Sequence, residues 1–158
     1  MITIVETIEL KKKLLEVCLK TLHSFTQQVK SRINTIRKQD NSSKLENKNN
    51  LNILTSPTKN LQVKHLNEDL DLATKDMRVL KYLSKHHEEE HSKVELGAVV
   101  VTHRHTFLIA TDLQRLEVDG QQFIAISTQS QLFKSMRGKK AGEKFVHKDL
   151  WYKILDVF

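Results

Sequence analysis

The sequence predicts an α+β protein in which an N-terminal antiparallel helical hairpin, packed as a coiled coil, is followed by a small β-sheet domain with one short helix. Three observations predict it. All four glycines fall after residue 96, and the single proline, Pro57, is the one strong helix breaker before them. Two apolar stripes with alternating steps of three and four run through that glycine-free stretch. Beyond residue 92 the pattern turns to β-branched and aromatic residues, and seven of the nine aromatic side chains lie past residue 105.

The first stripe is Leu15, Cys18, Leu22, Phe25, Val29, Ile33 and Ile36, with Lys20, Gln27, Lys30, Arg32 and Arg37 between its members. One face therefore meets a partner and the rest meets water, which predicts a helix from about residue 5 to about residue 38. From Gln39 onward short polar side chains such as Asn41, Ser42 and Ser43 compete with helical backbone bonds, so a tip is expected near residues 39–57. Ser56 and Pro57 form a cap and first-turn pair, because the hydroxyl accepts an orphan amide bond and proline needs none. The second stripe, Val63, Leu66, Leu70, Ala73, Met77 and Leu80, ends near the charged run at 85–91. Neither arm is stable alone with its stripe exposed, but two stripes on one chain bury each other. An arm of about 30 residues reaches roughly 45 Å.

In the second half, strands are expected over 94–102, 106–110 and 123–126, with Asp119 and Gly120 turning a hairpin between 116–118 and the strand at Phe123. Ser130 caps a short helix running through Arg137, with Leu132, Phe133 and Met136 inward and Gly138 ending it. Phe145-Val146 and residues 151–158 supply the closing strands. The domain division expected is 1–91 for the hairpin and 92–158 for the sheet.

The net charge of +7 is concentrated early: residues 1–60 carry eleven Lys and Arg against five acids, 61–91 five against seven, and 92–158 ten against seven. A basic arm favours an anionic partner through attraction that salt screens. The lone Cys18 excludes an internal disulfide, and its place on the apolar stripe makes it a core thiol. The first residues lack a basic segment followed by an apolar run, and no stretch approaches the ~20 apolar residues of a membrane span, so a soluble, cytoplasmic chain is expected. His87 and His91 are spaced as a helical pair, but the order is not His-Glu-x-x-His, and a solvated helix end is the plainer reading. His103, Arg104 and His105 read as a polar β turn.

The block AISTQSQLFKSMRGKKAGEKF at 125–145 resembles the C-terminal domain of the GreA/GreB transcription elongation factors: Ile-Ser, a helix start, a short helix, Gly-Lys-Lys, a Gly-Glu step and a closing strand. Gln131 stands where that family usually has proline, and the closing segment is shorter and more polar. The resemblance implies an FKBP-like sheet domain that docks on bacterial RNA polymerase, with the hairpin entering the secondary channel toward the nascent RNA 3′ end. Ser130, Arg137, Lys139 and Lys140 are the implied docking residues, and no small-molecule substrate or membrane is implied. An FKBP-like fold does not by itself bring prolyl isomerase activity. The aromatic residues such a site would use, Trp151 and Tyr152 among them, are ones a β core uses anyway.

In the same family a tip motif Asp-x-x-Glu-Asn helps hold a second Mg²⁺ in the polymerase active site, where hard oxygen ligands suit the ion. Here the matching segment is Ser43-Lys44-Leu45-Glu46-Asn47, so Glu46 is present and the aspartate is Ser43; Asp40 is the nearby carboxylate that could substitute. No metal is expected on the isolated chain. Lys30, Arg32, Arg37 and Lys38 climb the first arm toward that tip. Each alone reads as a solvated coiled-coil face, and together they form a candidate RNA or channel contact. The resemblance thus implies an accessory factor and not an enzyme, with a cleavage-silent channel occupant, a prolyl isomerase and a generic coiled-coil protein as the competing readings.

Overall fold

The computed structural model describes residues 2–46, 57–113 and 115–158, with side chains apart from those of residues 42–46 and 57. In chain order the elements are α1 (Ile4–Glu46), α2 (Pro57–Lys85), β1 (Val99–Thr102), β2 (Thr106–Ala110), β3 (Arg115–Val118), β4 (Gln121–Ser127), α3 (Gln131–Met136), β5 (Lys144–His147) and β6 (Leu150–Val157). A long helical hairpin followed by a six-stranded mixed sheet with one short helix is the fold class the stripes and turns predict. Two compact units are distinguished, Thr21–Met77 and a second made of Met1–Lys20 with Arg78–Phe158. Among the described residues, no helix is long and apolar enough to cross a membrane.

Within Thr21–Met77, the arms meet along a narrow apolar seam. Val29, Ile33 and Leu66 are buried together, and Ile36, Val63 and Leu70 pack at the margins. Nearer the tip, Lys59 of α2 pairs with Asp40 of α1 at 3.2 Å, so rising numbers on one arm match falling numbers on the other. Phe25, expected on the stripe, is 42% exposed. A seam between only two helices has no third element to close over a ring at its edge. The first helix also runs eight residues past its expected end near 38, through Glu46. Asn and Ser lose only about 0.7 kcal/mol or less per residue against alanine, so an existing helix extends through such residues without a new nucleus.

In the other unit the sheet runs β3-β4-β2-β1-β6-β5. Neighbours are antiparallel except β2 and β4, which are parallel and pair Thr106 with Phe123 through Ala110 with Ser127. The link from β2 to β3 therefore passes the end of β4, and Asp112 pins that crossing by accepting the Ser127 amide at 2.8 Å and its hydroxyl at 3.0 Å. Asp119 and Gly120 both have positive φ (52° and 77°), the turn geometry that matches the twist of the β3–β4 hairpin. The expected strand at 94–102 is confined to β1. Gly97, at φ +91°, turns the chain where an added Cβ would press on Leu83 and His91, and Val94 pairs instead with the loop after α3.

One face of the sheet, with Val100, Phe107, Ile109, Ile126 and Ile154, packs against Phe133 and Met136 of α3. Its neighbours in sequence, Val99, Leu108 and Ala125, are buried as well, so the central strands lose the simple inside-outside alternation. In the same unit, Cys18 is fully buried and that burial pushes its thiol up to about 12, which makes it the inert core group expected. Thr3 and Glu6 form a reciprocal cap at the start of α1, the carboxylate accepting the Thr3 amide at 2.7 Å and the hydroxyl accepting the Glu6 amide at 3.2 Å. Hydrogen bonding from Thr3 holds the Glu6 carboxyl below its usual range.

Lys11 is the exception in this core. It is 4% exposed and donates to the Glu89 carbonyl at 2.8 Å. Burial lowers its pKa to about 8, against which Glu89 and Glu90 pull upward. Below pH 8 the ammonium is charged in both folded and unfolded chains, and the desolvation cost is fully present. Between about pH 8 and 10.5 the folded state has released a proton that the unfolded state still holds, so stability rises with pH.

Two outcomes follow from this packing. Leu66→Ala is expected to destabilise the hairpin by about 2–3 kcal/mol, read as an earlier urea transition in far-UV circular dichroism. Lys11→Met is expected to raise the melting temperature at neutral pH and to abolish the rise in stability between pH 8 and 10.5; an unchanged pH profile would show that Lys11 is not the group responsible.

Candidate functional site

On the hairpin, Lys30, Asn34 and Arg37 recur at steps of four and three and so share a face of α1. With Ile33 of the same helix and Asn67 and Leu70 of α2 they line a groove of about 240 Å³ along the seam. Two cations and two amides above an apolar floor can hold a phosphate or carboxylate by charge and the group next to it by hydrogen bonds. Arg32 lies roughly 200° around the helix from Lys30 and is exposed outside this groove. Lys38 is likewise exposed and does not line it. Asn34 and Asn67 were missed in the sequence. Asn34 carries a signal, standing between Lys30 and Arg37 on one face, whereas Asn67 arrives from the facing arm and depends on the pairing register.

Toward the tip, Asp40 is not an open carboxylate. Its oxygen is 3.2 Å from the Lys59 ammonium in the first turn of α2. The backbone of Glu46 ends α1. The side chains of Ser43 and Glu46, and Asn47 altogether, lie outside the described residues, so the arrangement of the tip motif does too. Among the described residues, no three His, Cys, Asp or Glu side chains converge as a metal site.

The histidine run closes α2. His86 contacts the Tyr82 carbonyl at 2.7 Å and stacks on its ring, and His87 contacts the Ser84 carbonyl at 2.8 Å. Because α2 ends at Lys85, His87 and His91 are not a helical pair. His91 instead donates to Glu95 at 2.9 Å, and that bond holds the Glu95 carboxyl below its usual range. Thr102 shapes the turn at 103–105, its hydroxyl oxygen accepting the amides of Arg104 and His105.

In the sheet domain the candidate docking residues separate by role. The Ser130 hydroxyl is committed to capping α3, accepting the Phe133 amide at 3.1 Å and donating to the Ser127 carbonyl at 2.9 Å. Arg137 is exposed and, with Lys93, Glu95, Thr128 and Gln129, rims a recess of about 420 Å³ floored by Val94, Leu96 and Phe133. Lys139 is half-buried and its carbonyl accepts the Val94 amide at 2.8 Å, which is what carries the 93–96 segment to the recess. Lys140 is exposed, and its amide donates to Glu143. Lys93 and Leu96 had no sequence signal, since the pairing of Val94 with a loop is not periodic.

No protein-family model matches the chain, and no curated protein matches it. A crystal structure of GreA factor homolog 1 (Gfh1) from Thermus thermophilus is similar over 89% of this chain and 94% of that one, at 11% sequence identity and a TM-score of 0.33. At that level of likeness the functional reading rests on this chain's own residues.

The Asp40–Lys59 pair is partly exposed, so its coupling is expected to be small. A double-mutant cycle with Asp40→Asn and Lys59→Gln, read by urea unfolding, should give about 0.2–1 kcal/mol that shrinks as salt is raised.

Proposed function

We propose that the chain is a Gre-type accessory factor that binds bacterial RNA polymerase in the cytoplasm and places its hairpin in the secondary channel, modulating backtracking, pausing or transcript cleavage. The observation that carries this reading is the basic groove of Lys30, Asn34, Arg37 and Asn67 on a hairpin linked in one chain to a small sheet domain. Its donors suit the phosphates of a nascent RNA 3′ segment, with Arg32 and Lys38 adding charge along the arm. From Thr21 to Glu46 the first arm spans roughly 39 Å, a length suited to entering a channel. The resemblance at 125–145 supports assigning polymerase docking to the sheet domain, where the recess rimmed by Arg137 and Lys93 fits an acidic segment with an apolar anchor. Lys139 and Lys140 flank it in sequence. In this reading the domains divide at 1–91 and 92–158, the sheet domain is FKBP-like, and the reaction belongs to the polymerase and its own Mg²⁺.

A second reading has its own support. Ser43 offers a neutral hydroxyl where the family pattern has a carboxylate, and Asp40, the nearest substitute, is paired with Lys59. A tip of that composition suits a channel occupant that competes with cleavage factors without stimulating cleavage. Glu46 would then be a solvated acid.

Both readings are tested with core RNA polymerase and a backtracked complex. The chain should co-purify with core polymerase at moderate salt, and failure to do so would sink both. Shortening of the RNA 3′ end that is lost in Glu46→Gln supports the helper role. Binding without shortening, together with inhibition of a cleavage-competent factor, supports the occupant. Lys30→Gln with Arg37→Gln should weaken the effect on the complex by about tenfold or more while leaving the fold intact.

A further inference from the structure

The β5–β6 hairpin carries a surface that the polymerase reading does not use. Its register sets Lys144 opposite Lys153 and Val146 opposite Trp151. Strand alternation sends Phe145 and Tyr152 into the core and leaves these four on the outer face, where Trp151 is 50% and Val146 63% exposed. Like charges directly opposite each other destabilise a strand pair. Among the described residues, neither lysine has a carboxylate within ion-pairing distance. Arg104 lies off this face: its Nε donates to the Trp151 carbonyl at 3.0 Å and its guanidinium stands 5.8 Å from the centre of the Tyr152 ring, which points to the core.

The aromatic part of this surface is held in place. The His103 ring stacks on Trp151 with centroids 4.4 Å apart and planes 20° from parallel. Its Nδ1 accepts the Lys153 amide at 3.0 Å, so the backbone fixes the ring. On the β5 side the Lys144 ammonium lies 5.7 Å from the Trp151 ring centre. That side chain is flexible and can turn from the ring to an anion, opening a face for stacking.

We propose that this face binds single-stranded nucleic acid, a base stacking on Trp151 while the backbone phosphates take Lys144 and Lys153. The unneutralised cations call for a polyanion, and the pre-ordered pair of rings calls for one with flat π faces. An acidic peptide supplies the charge without the rings to stack. A duplex keeps its bases inside. The inference is independent of the hairpin, whose groove belongs to the other unit.

The chain has a single tryptophan, so its emission reports on this face alone. Titrating the full chain with short oligo(U) and oligo(dT) should quench Trp151 in a salt-dependent manner, while poly-glutamate should not. Lys144→Gln with Lys153→Gln should weaken the quenching interaction about tenfold or more and, by removing the opposed charges, raise the melting temperature. Lys30→Gln with Arg37→Gln should leave the quenching in place. The proposal is overturned if oligonucleotide binds by anisotropy without changing the emission, if quenching survives in the Lys144/Lys153 variant, or if poly-glutamate quenches equally.

Discussion

The two-helix seam is the constraint on which the hairpin depends. Helices of 43 and 29 residues with polar outer faces gain little from intrinsic propensity, and their order comes from covering one stripe with another. In Thr21–Met77 that cover is thin: Val29, Ile33 and Leu66 are buried, each worth about 1.5–3 kcal/mol, with partly covered neighbours around them. A seam so narrow frees every other position to be polar. It is why Lys30, Asn34, Arg37 and Asn67 can stand beside the stripe and form a groove without disturbing it, and why Phe25 remains in water.

The sheet unit meets a different constraint. Its central strands are buried on both faces, so a polar group buried there costs stability unless it finds a partner, and the Thr111 hydroxyl has none among the described residues. Thr102 finds one within its own turn, and Lys11 finds one in a single carbonyl, while burial opposes its charge. The recess beside α3 arises from the same accounting. Val94 donates its amide to the Lys139 carbonyl and its own carbonyl accepts the Gly138 amide, and this places Lys93 and Leu96 at the recess with Arg137.

Features that depend on local spacing were legible in the sequence. The stripes, the opening of α2 at Pro57, the Asp119-Gly120 turn and the Ser130 cap all follow from residue order alone. The Thr3 and Glu6 cap was equally readable, since a hydroxyl residue followed three positions later by glutamate is its signature. Features that depend on what lies opposite were not legible. The exposure of Phe25, the contribution of Asn67 and the pairing of Asp40 with Lys59 are set by the facing arm. The parallel β2–β4 pairing and the opposed lysines of β5 and β6 likewise follow from register, which no single strand encodes.

Charge at the upper hairpin and charge on the β5–β6 face resolve in opposite ways. At the upper hairpin, Asp40 has found Lys59, and the pair satisfies itself within the fold. On β5–β6 the local rules are broken repeatedly: lysine faces lysine, an exposed tryptophan is held by a fixed histidine, and the connecting turn places Lys148 and Asp149 at positive φ (49° and 63°) where glycine or asparagine would sit at less cost. A surface shaped only for stability would replace one lysine by glutamate and the turn by Asn-Gly. Costs that nothing among the described residues offsets are the ones an external partner can offset, and here the uncompensated charge is positive and lies beside an aromatic ring.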